Sequence, residues 1–130
     1  MLRFRAAWAL FAAALAAFVF YESTRGAGDP TVPDVSTSAA YLGHFLLYAA
    51  LAFSVQTALH ARSLPAVAIV AACVALYGGA LEAYQSTLSG REASIFDALA
   101  NLLGAAGGAG IAAALLPRWG RWVLKQARRG

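Results

Sequence analysis

Four long apolar runs, separated by short polar segments, make up most of the sequence. They span about 5–22, 38–59, 64–84 and 94–116. A helix needs roughly 20 mostly apolar residues to cross a bilayer, and each run approaches or exceeds that length. Since open sheets leave backbone groups unpaired in lipid, the pattern predicts an all-α, integral membrane four-helix bundle. The length of 130 residues predicts a single domain, 1–130.

The first run also fits a cleaved signal peptide, because Arg3 and Arg5 precede a short apolar core. Three further runs follow it, which favours an uncleaved first helix. The composition agrees with a membrane protein: 61% of the residues are hydrophobic and 12% are charged, against about 45–50% and about 25% in soluble domains. Cys73 is the only cysteine, so the chain has no intrachain disulfide, and we expect Cys73 to be a small buried apolar residue.

Charged residues divide between the two ends of the predicted bundle. Ten basic residues outnumber six acidic ones, but they are confined to short segments, which argues against a nucleic-acid partner. One end collects basic residues only: Arg3, Arg5, Arg62, Arg118, Arg121, Lys125, Arg128 and Arg129. Every acid belongs to the other end, with Arg25 and Arg91: Glu22, Asp29, Asp34, Glu82, Glu92 and Asp97. The positive-inside rule therefore places both termini in the cytoplasm, with 117–130 as a basic cytoplasmic tail beside anionic lipid.

Three of the predicted helices each carry polar residues at a similar depth in the membrane, near the acidic end of the bundle. They form pairs spaced three or four residues apart, so each pair shares a helix face: His44 and Tyr48, Glu82 and Gln85, Asp97 and Asn101. If these faces meet, they form a shallow polar inlet that opens outward. Arg91, in the turn between the third and fourth helices, would pair with a carboxylate or hold an anionic ligand.

Each of these polar residues could also have a purely structural role of its own. Asp97 fits a capping box with Ser94 at the start of the fourth helix. Asn101 could form a hydrogen bond that holds two helices together, and His44 could be a histidine buried in the core. Glu82 and Arg91 could form an interfacial ion pair. None of these explanations predicts clustering at one level. The sequence contains no HExxH motif or paired histidines, so we expect neither a metal nor another cofactor.

Glycines in the fourth helix predict close helix packing. Gly104 and Gly108 form a GxxxG face, which lets a neighbouring backbone approach closely. In the third helix, Gly78 and Gly79 are the expected opposing surface. The same face could instead serve a homodimer.

The sequence resembles the VanZ-like family of small bacterial membrane proteins over about half of its length. The matching segments are "HFLLYAAL" (44–51) and "LEAYQSTLSGREASIFDALANLLGAAGG" (81–108). The positions that match are His44, Tyr48, Glu82, Gln85, Arg91, Asp97, Asn101, Gly104 and Gly108. Family members commonly carry an Asp-Lys pair just before the histidine, where this chain has Ala40 and Tyr41. The resemblance implies a protein of the bacterial cytoplasmic (inner) membrane and the cell envelope, of the type named for resistance to teicoplanin.

Three functions fit these observations. The first is binding of a lipid head group, a lipid-linked cell-wall precursor or a lipoglycopeptide, with Arg91 holding an anionic group and Gln85 and Asn101 donating hydrogen bonds. The alternative is an intramembrane enzyme that uses His44, Glu82 and Asp97 as general base, acid and orienting carboxylate on a lipid-linked substrate. The second alternative is a small lipid transporter or flippase that acts as an oligomer.

Overall fold

A computed structural model describes residues 1–25, 36–87 and 94–127, with side chains to 116 in the last range. These ranges contain four helices and no strand: α1 (Leu2–Thr24), α2 (Thr37–Leu59), α3 (Leu64–Gln85) and α4 (Ile95–Ala127). Each is long and apolar enough to cross a membrane, α4 over Ile95–Leu116. The predicted all-α chain with four candidate spans is confirmed. The bounds of the candidate spans differ from the predicted ones by no more than three residues. Helix α4 itself continues to Ala127, into the predicted tail.

Serine side chains begin three of the four helices. Each hydroxyl accepts a hydrogen bond from a backbone N–H of the first turn, as helix-capping residues do: Ser36 from Ala39 (3.3 Å), Ser63 from Ala66 (3.4 Å) and Ser94 from Asp97 (3.3 Å). The end of α2 is marked by His60, which adopts the left-handed conformation with φ of 55°. These local signals fix where the apolar runs start and stop as helices.

The helices run alternately up and down, as two contacts between their ends indicate. At one end, Arg5 of α1 donates to the backbone oxygens of Ala58 (2.9 Å) and Leu59 (3.4 Å), where α2 ends. At the opposite end, Gln85 of α3 donates to the backbone oxygen of Ser23 in α1 (3.1 Å). We call this second end, where α1 and α3 finish and α2 and α4 start, the upper end.

Helices α2 and α4 share the most extensive interface of the bundle, and α3 packs on α4 while α1 packs on α2. Gly104 and Gly108 of α4 make this interface close. A Cβ atom at either position would overlap a backbone carbonyl of α2, that of Phe45 or Ala49 respectively. The GxxxG face is therefore occupied within the chain. The prediction that it packs against Gly78 and Gly79 is wrong, because the atoms nearest to a Cβ at Gly104 or Gly108 belong to the α2 backbone at Phe45 and Ala49.

Of the two glycines of α3 that were predicted to pack, only Gly78 faces the inside of the bundle. Gly78 lies under the ring of Tyr48, whereas a Cβ at Gly79 would meet nothing within 4 Å. Val70, Val74 and Gly78 are buried on the inward face, and Cys73 is exposed on the outside of the bundle. The expectation of a buried Cys73 is also wrong, because a membrane protein can turn apolar side chains outward to lipid tails that are as apolar as its core.

Candidate functional site

Polar side chains from three helices meet below the upper end of the bundle. Helix α2 contributes His44, α3 contributes Glu82, and α4 contributes Asp97 and Asn101. We call these four residues the polar cluster. The helix starts explain their common level: α2 and α4 both begin at the upper end, and α3 finishes there.

His44 lies at the centre of the polar cluster. Its Nδ1 is 3.0 Å from Oδ1 of Asn101. Because an amide oxygen only accepts, Nδ1 carries the hydrogen and donates it. In the neutral ring, Nε2 then has a free lone pair, and it lies 3.9 Å from Oδ1 of Asp97. Oε1 of Glu82 lies 3.9 Å from Nδ1 of the same ring. These two separations are longer than direct hydrogen bonds.

The residues of the cluster are buried to different extents. The side chains of His44 and Asp97 are 26% and 21% exposed, and that of Glu82 is 10% exposed. Asn101 is 1% exposed and Tyr48 is 3% exposed. The ring of Tyr48 lies nearly parallel to that of His44, with centroids 6.4 Å apart. The cluster is therefore accessible from the side of His44 and Asp97 and closed below by Tyr48 and Asn101.

Two buried polar atoms of the cluster have no hydrogen-bond partner within the part of the chain that the structure describes: Oδ1 of Asp97 and Nδ2 of Asn101. A helix cap does not explain the Asp97 carboxylate. The hydroxyl of Ser94 accepts from the Asp97 backbone N–H, so Ser94 provides the cap while Oδ1 of Asp97 lies inside the cluster. The pair offers one acceptor and one donor to a bound molecule.

The cluster also has the composition of a metal site. His44, Glu82 and Asp97 each offer one ligand atom, and these atoms lie within 4.8 Å of one another. Imidazole nitrogen and carboxylate oxygen are common ligands of divalent transition metals. Because the three residues belong to three helices, no local sequence spacing marks them as a ligand set.

The seven residues predicted to bind a ligand do not all lie at the same place in the structure. It brings five together: His44, Tyr48, Glu82, Asp97 and Asn101. Gln85 is buried, but its amide donates to the backbone of Ser23 and so ties α3 to α1. Arg91 lies outside the described residues.

Sequence reasoning missed an aromatic pair beside the cluster. The rings of Tyr41 and Phe96 are 6.0 Å apart, one turn above His44 and next to Asp97. The signal was present, since Tyr41 precedes His44 by three residues and shares its helix face.

A second set of buried polar residues, near the end of α2, was also missed. Their hydrogen bonds are local: Ser54 donates to the Ala50 oxygen, Thr57 to the Phe53 oxygen and Gln56 to the Ala61 oxygen, each at 2.7 Å. These side chains mainly satisfy the backbone around the end of the helix, so we assign them no part in the site.

Comparisons of the chain with protein-family models, curated proteins and solved structures give no match. The VanZ-like resemblance therefore stays a prediction.

Proposed function

We propose that the protein is a VanZ-like integral membrane protein whose polar cluster binds the polar head group of an amphiphile. The observation that carries this proposal is the convergence of His44, Asp97 and Asn101 from two helices, with unpartnered polar atoms on Asp97 and Asn101. Buried polar groups without partners are costly in a membrane protein. A bound head group would supply the missing partners.

The donors and acceptors favour a head group rich in hydroxyl or amino groups. Carboxylates accept hydrogen bonds from such groups, and the amide nitrogen of Asn101 donates to an oxygen. Sugar-bearing amphiphiles, such as lipid-linked cell-wall precursors and lipoglycopeptides, have these groups. Exposed apolar side chains near the upper end, including Leu42, Phe45 and Phe96, would contact the acyl chain of the same molecule.

The charge distribution supports an outward-facing upper end. Both termini would lie in the cytoplasm, with the basic residues of 117–130 near anionic lipid and the polar cluster at the outer surface of the bacterial inner membrane. Glycopeptides and lipid-linked precursors meet at that surface, which is how such a protein would contribute to teicoplanin resistance. A C-terminal green fluorescent protein should fluoresce and a C-terminal alkaline phosphatase should be inactive. The reverse pattern would contradict the orientation.

Retention of an amphiphile tests the binding proposal. We would purify wild-type protein and the His44→Asn and Asp97→Asn variants in mild detergent, and quantify the lipids and glycolipids retained per chain by mass spectrometry. His60→Asn is the matched control, because it changes the only other histidine, at the opposite end of the bundle. We expect a retained amphiphile in wild type and control that is lost from both cluster variants. Equal retention in all four proteins, or no retained amphiphile in wild type, contradicts the proposal.

Hydrolysis of a bound lipid-linked molecule is a second candidate, favoured by the hydrogen bonding of His44. Its Nδ1 is held by Asn101 and its Nε2 lies 3.9 Å from Oδ1 of Asp97, so the ring is oriented as that of a general base is. Incubation with a membrane lipid extract should then yield product with wild-type protein and none with His44→Asn. No product with wild type would exclude this candidate and leave the binding proposal unaffected.

A further inference from the structure

We propose that His44, Glu82 and Asp97 together bind one divalent transition-metal ion. Three helices bring these residues to one place, and their ligand atoms lie within 4.8 Å of one another. The inference concerns the same cluster as the proposed function, but it does not rest on head-group binding.

The separations suit ligands of a single ion. Nitrogen and oxygen ligands bind Zn²⁺ at about 2.0–2.2 Å, so two ligands of one ion are at most about 4.4 Å apart. Nε2 of His44 and Oδ1 of Asp97 are 3.9 Å apart, which is inside that limit and too long for a hydrogen bond. Small rotations of the side chains would bring the third ligand atom within the same limit.

The hydrogen bond to Asn101 provides a second, independent argument. Histidines that bind metals usually donate their other ring N–H to a carbonyl or carboxylate oxygen, which fixes the tautomer and the orientation of the ring. His44 makes this bond through Nδ1 to Asn101, a residue that is 1% exposed. The lone pair of Nε2 and the buried Oδ1 of Asp97 then face each other as two acceptors. Among the described residues Oδ1 has no hydrogen-bond partner, and a cation between the two atoms would satisfy both.

Charge favours a divalent ion over a monovalent one. As ligands of one ion, Glu82 and Asp97 would bring two carboxylate charges to it, and these match one divalent cation. A set of one imidazole and two carboxylates lies between the preferences of zinc and manganese, and differs from the all-oxygen sites of Mg²⁺ and Ca²⁺. Three protein ligands also leave coordination positions for water or a bound molecule, on the accessible side of His44 and Asp97.

The test uses the full chain in detergent, stripped with EDTA and given Mn²⁺ alone. Electron paramagnetic resonance reports free Mn²⁺ during the titration, and Zn²⁺ is then added as competitor. We expect one Mn²⁺ per wild-type chain, displaced by Zn²⁺, and at least tenfold weaker binding in His44→Asn, Glu82→Gln and Asp97→Asn. His60→Asn and Glu22→Gln are matched controls and should bind like wild type. Glu22 is a carboxylate near the upper end that pairs with Arg25 at 3.1 Å.

Two results would overturn the inference. One is the absence of Mn²⁺ and Zn²⁺ binding by wild type at millimolar metal. The other is equal binding by wild type and the cluster variants, which would mean adventitious binding elsewhere. If a variant fails to fold, the wild-type protein alone still tests the inference. Zn²⁺ must raise the Tm of the wild-type protein, because a ligand that binds only the folded state stabilises it. Since no amphiphile is added, a failure here is distinct from a failure of the head-group proposal, which is judged by lipid retention.

Discussion

Gly108 of α4 lies directly against the backbone carbonyl of Ala49 in α2. This contact sets the distance between the two helices that carry most of the polar cluster. One turn nearer the upper end, Gly104 makes the equivalent contact with Phe45. Since His44 adjoins Phe45 and Asn101 lies three residues before Gly104, the glycine face also brings His44 within hydrogen-bonding distance of Asn101.

Alanine at either glycine should separate α2 from α4. We expect Gly104→Ala and Gly108→Ala each to lower the free energy of unfolding by about 1–3 kcal/mol, the usual cost of overpacking. Thermal denaturation in detergent measures the effect. Gly107→Ala and Gly110→Ala are matched controls on the same helix, because a Cβ at either would meet nothing within 4 Å. They should be neutral or stabilising by up to about 1 kcal/mol, owing to the higher helix propensity of alanine. Equal losses in all four variants would contradict the assigned interface.

Gly78 should be intolerant of a side chain for a different reason. A Cβ there would lie 2.6 Å from Cε1 of Tyr48 and 2.9 Å from Nδ2 of Asn101, so the floor of the cluster would have to move. We expect Gly78→Ala to destabilise the protein by about 1–3 kcal/mol and to reduce amphiphile retention. Gly79→Ala, the control, should change neither quantity. Unaltered retention in a folded Gly78→Ala protein would mean that Tyr48 and Asn101 do not bound the site.

The four helices could be predicted from the sequence, because each depends on local signals. The apolar runs predicted the four helices, and the capping box at Ser94 predicted where α4 begins. The caps at Ser36 and Ser63 were recognised only in the structure. The pairing of helix faces could not be predicted. Gly78, Gly79, Gly104 and Gly108 all allow close approach, and only the three-dimensional register decides that the last two meet α2.

Five of the seven residues predicted for the site lie close together in the structure. Spacing within helices placed His44 with Tyr48 and Asp97 with Asn101. It also placed Gln85 with Glu82, but the inward face of α3 is broad enough to meet α1 as well, and Gln85 donates to Ser23 there. No spacing in the sequence predicts that His44, Glu82 and Asp97 could bind one metal ion together, because each residue belongs to a different helix.

The hydrogen bond between His44 and Asn101 predicts a defined tautomer. In ¹⁵N spectra of imidazole-labelled protein, neutral His44 should carry its hydrogen on Nδ1, and Asn101→Ala should abolish this preference while His60 is unchanged. The same substitution should cost about 0.6–2 kcal/mol of stability, the range of hydrogen bonds between membrane helices. A hydrogen on Nε2 of His44 in the wild-type protein would contradict the arrangement of the cluster.

The account's central claim is that the two carboxylates of the cluster are kept for binding rather than for stability. Its most direct test is the Tm of metal-free Asp97→Asn and Glu82→Gln protein in detergent. Gln85→Leu serves as the structural comparison, because it removes the donor that ties α3 to α1 and should lose about 0.6–2 kcal/mol. We predict an unchanged or higher Tm for Asp97→Asn and Glu82→Gln, since residues retained for function commonly reduce stability. A loss of more than about 1 kcal/mol in both, comparable to Gln85→Leu, would contradict the account, because the two carboxylates would then mainly stabilise the contacts between the helices.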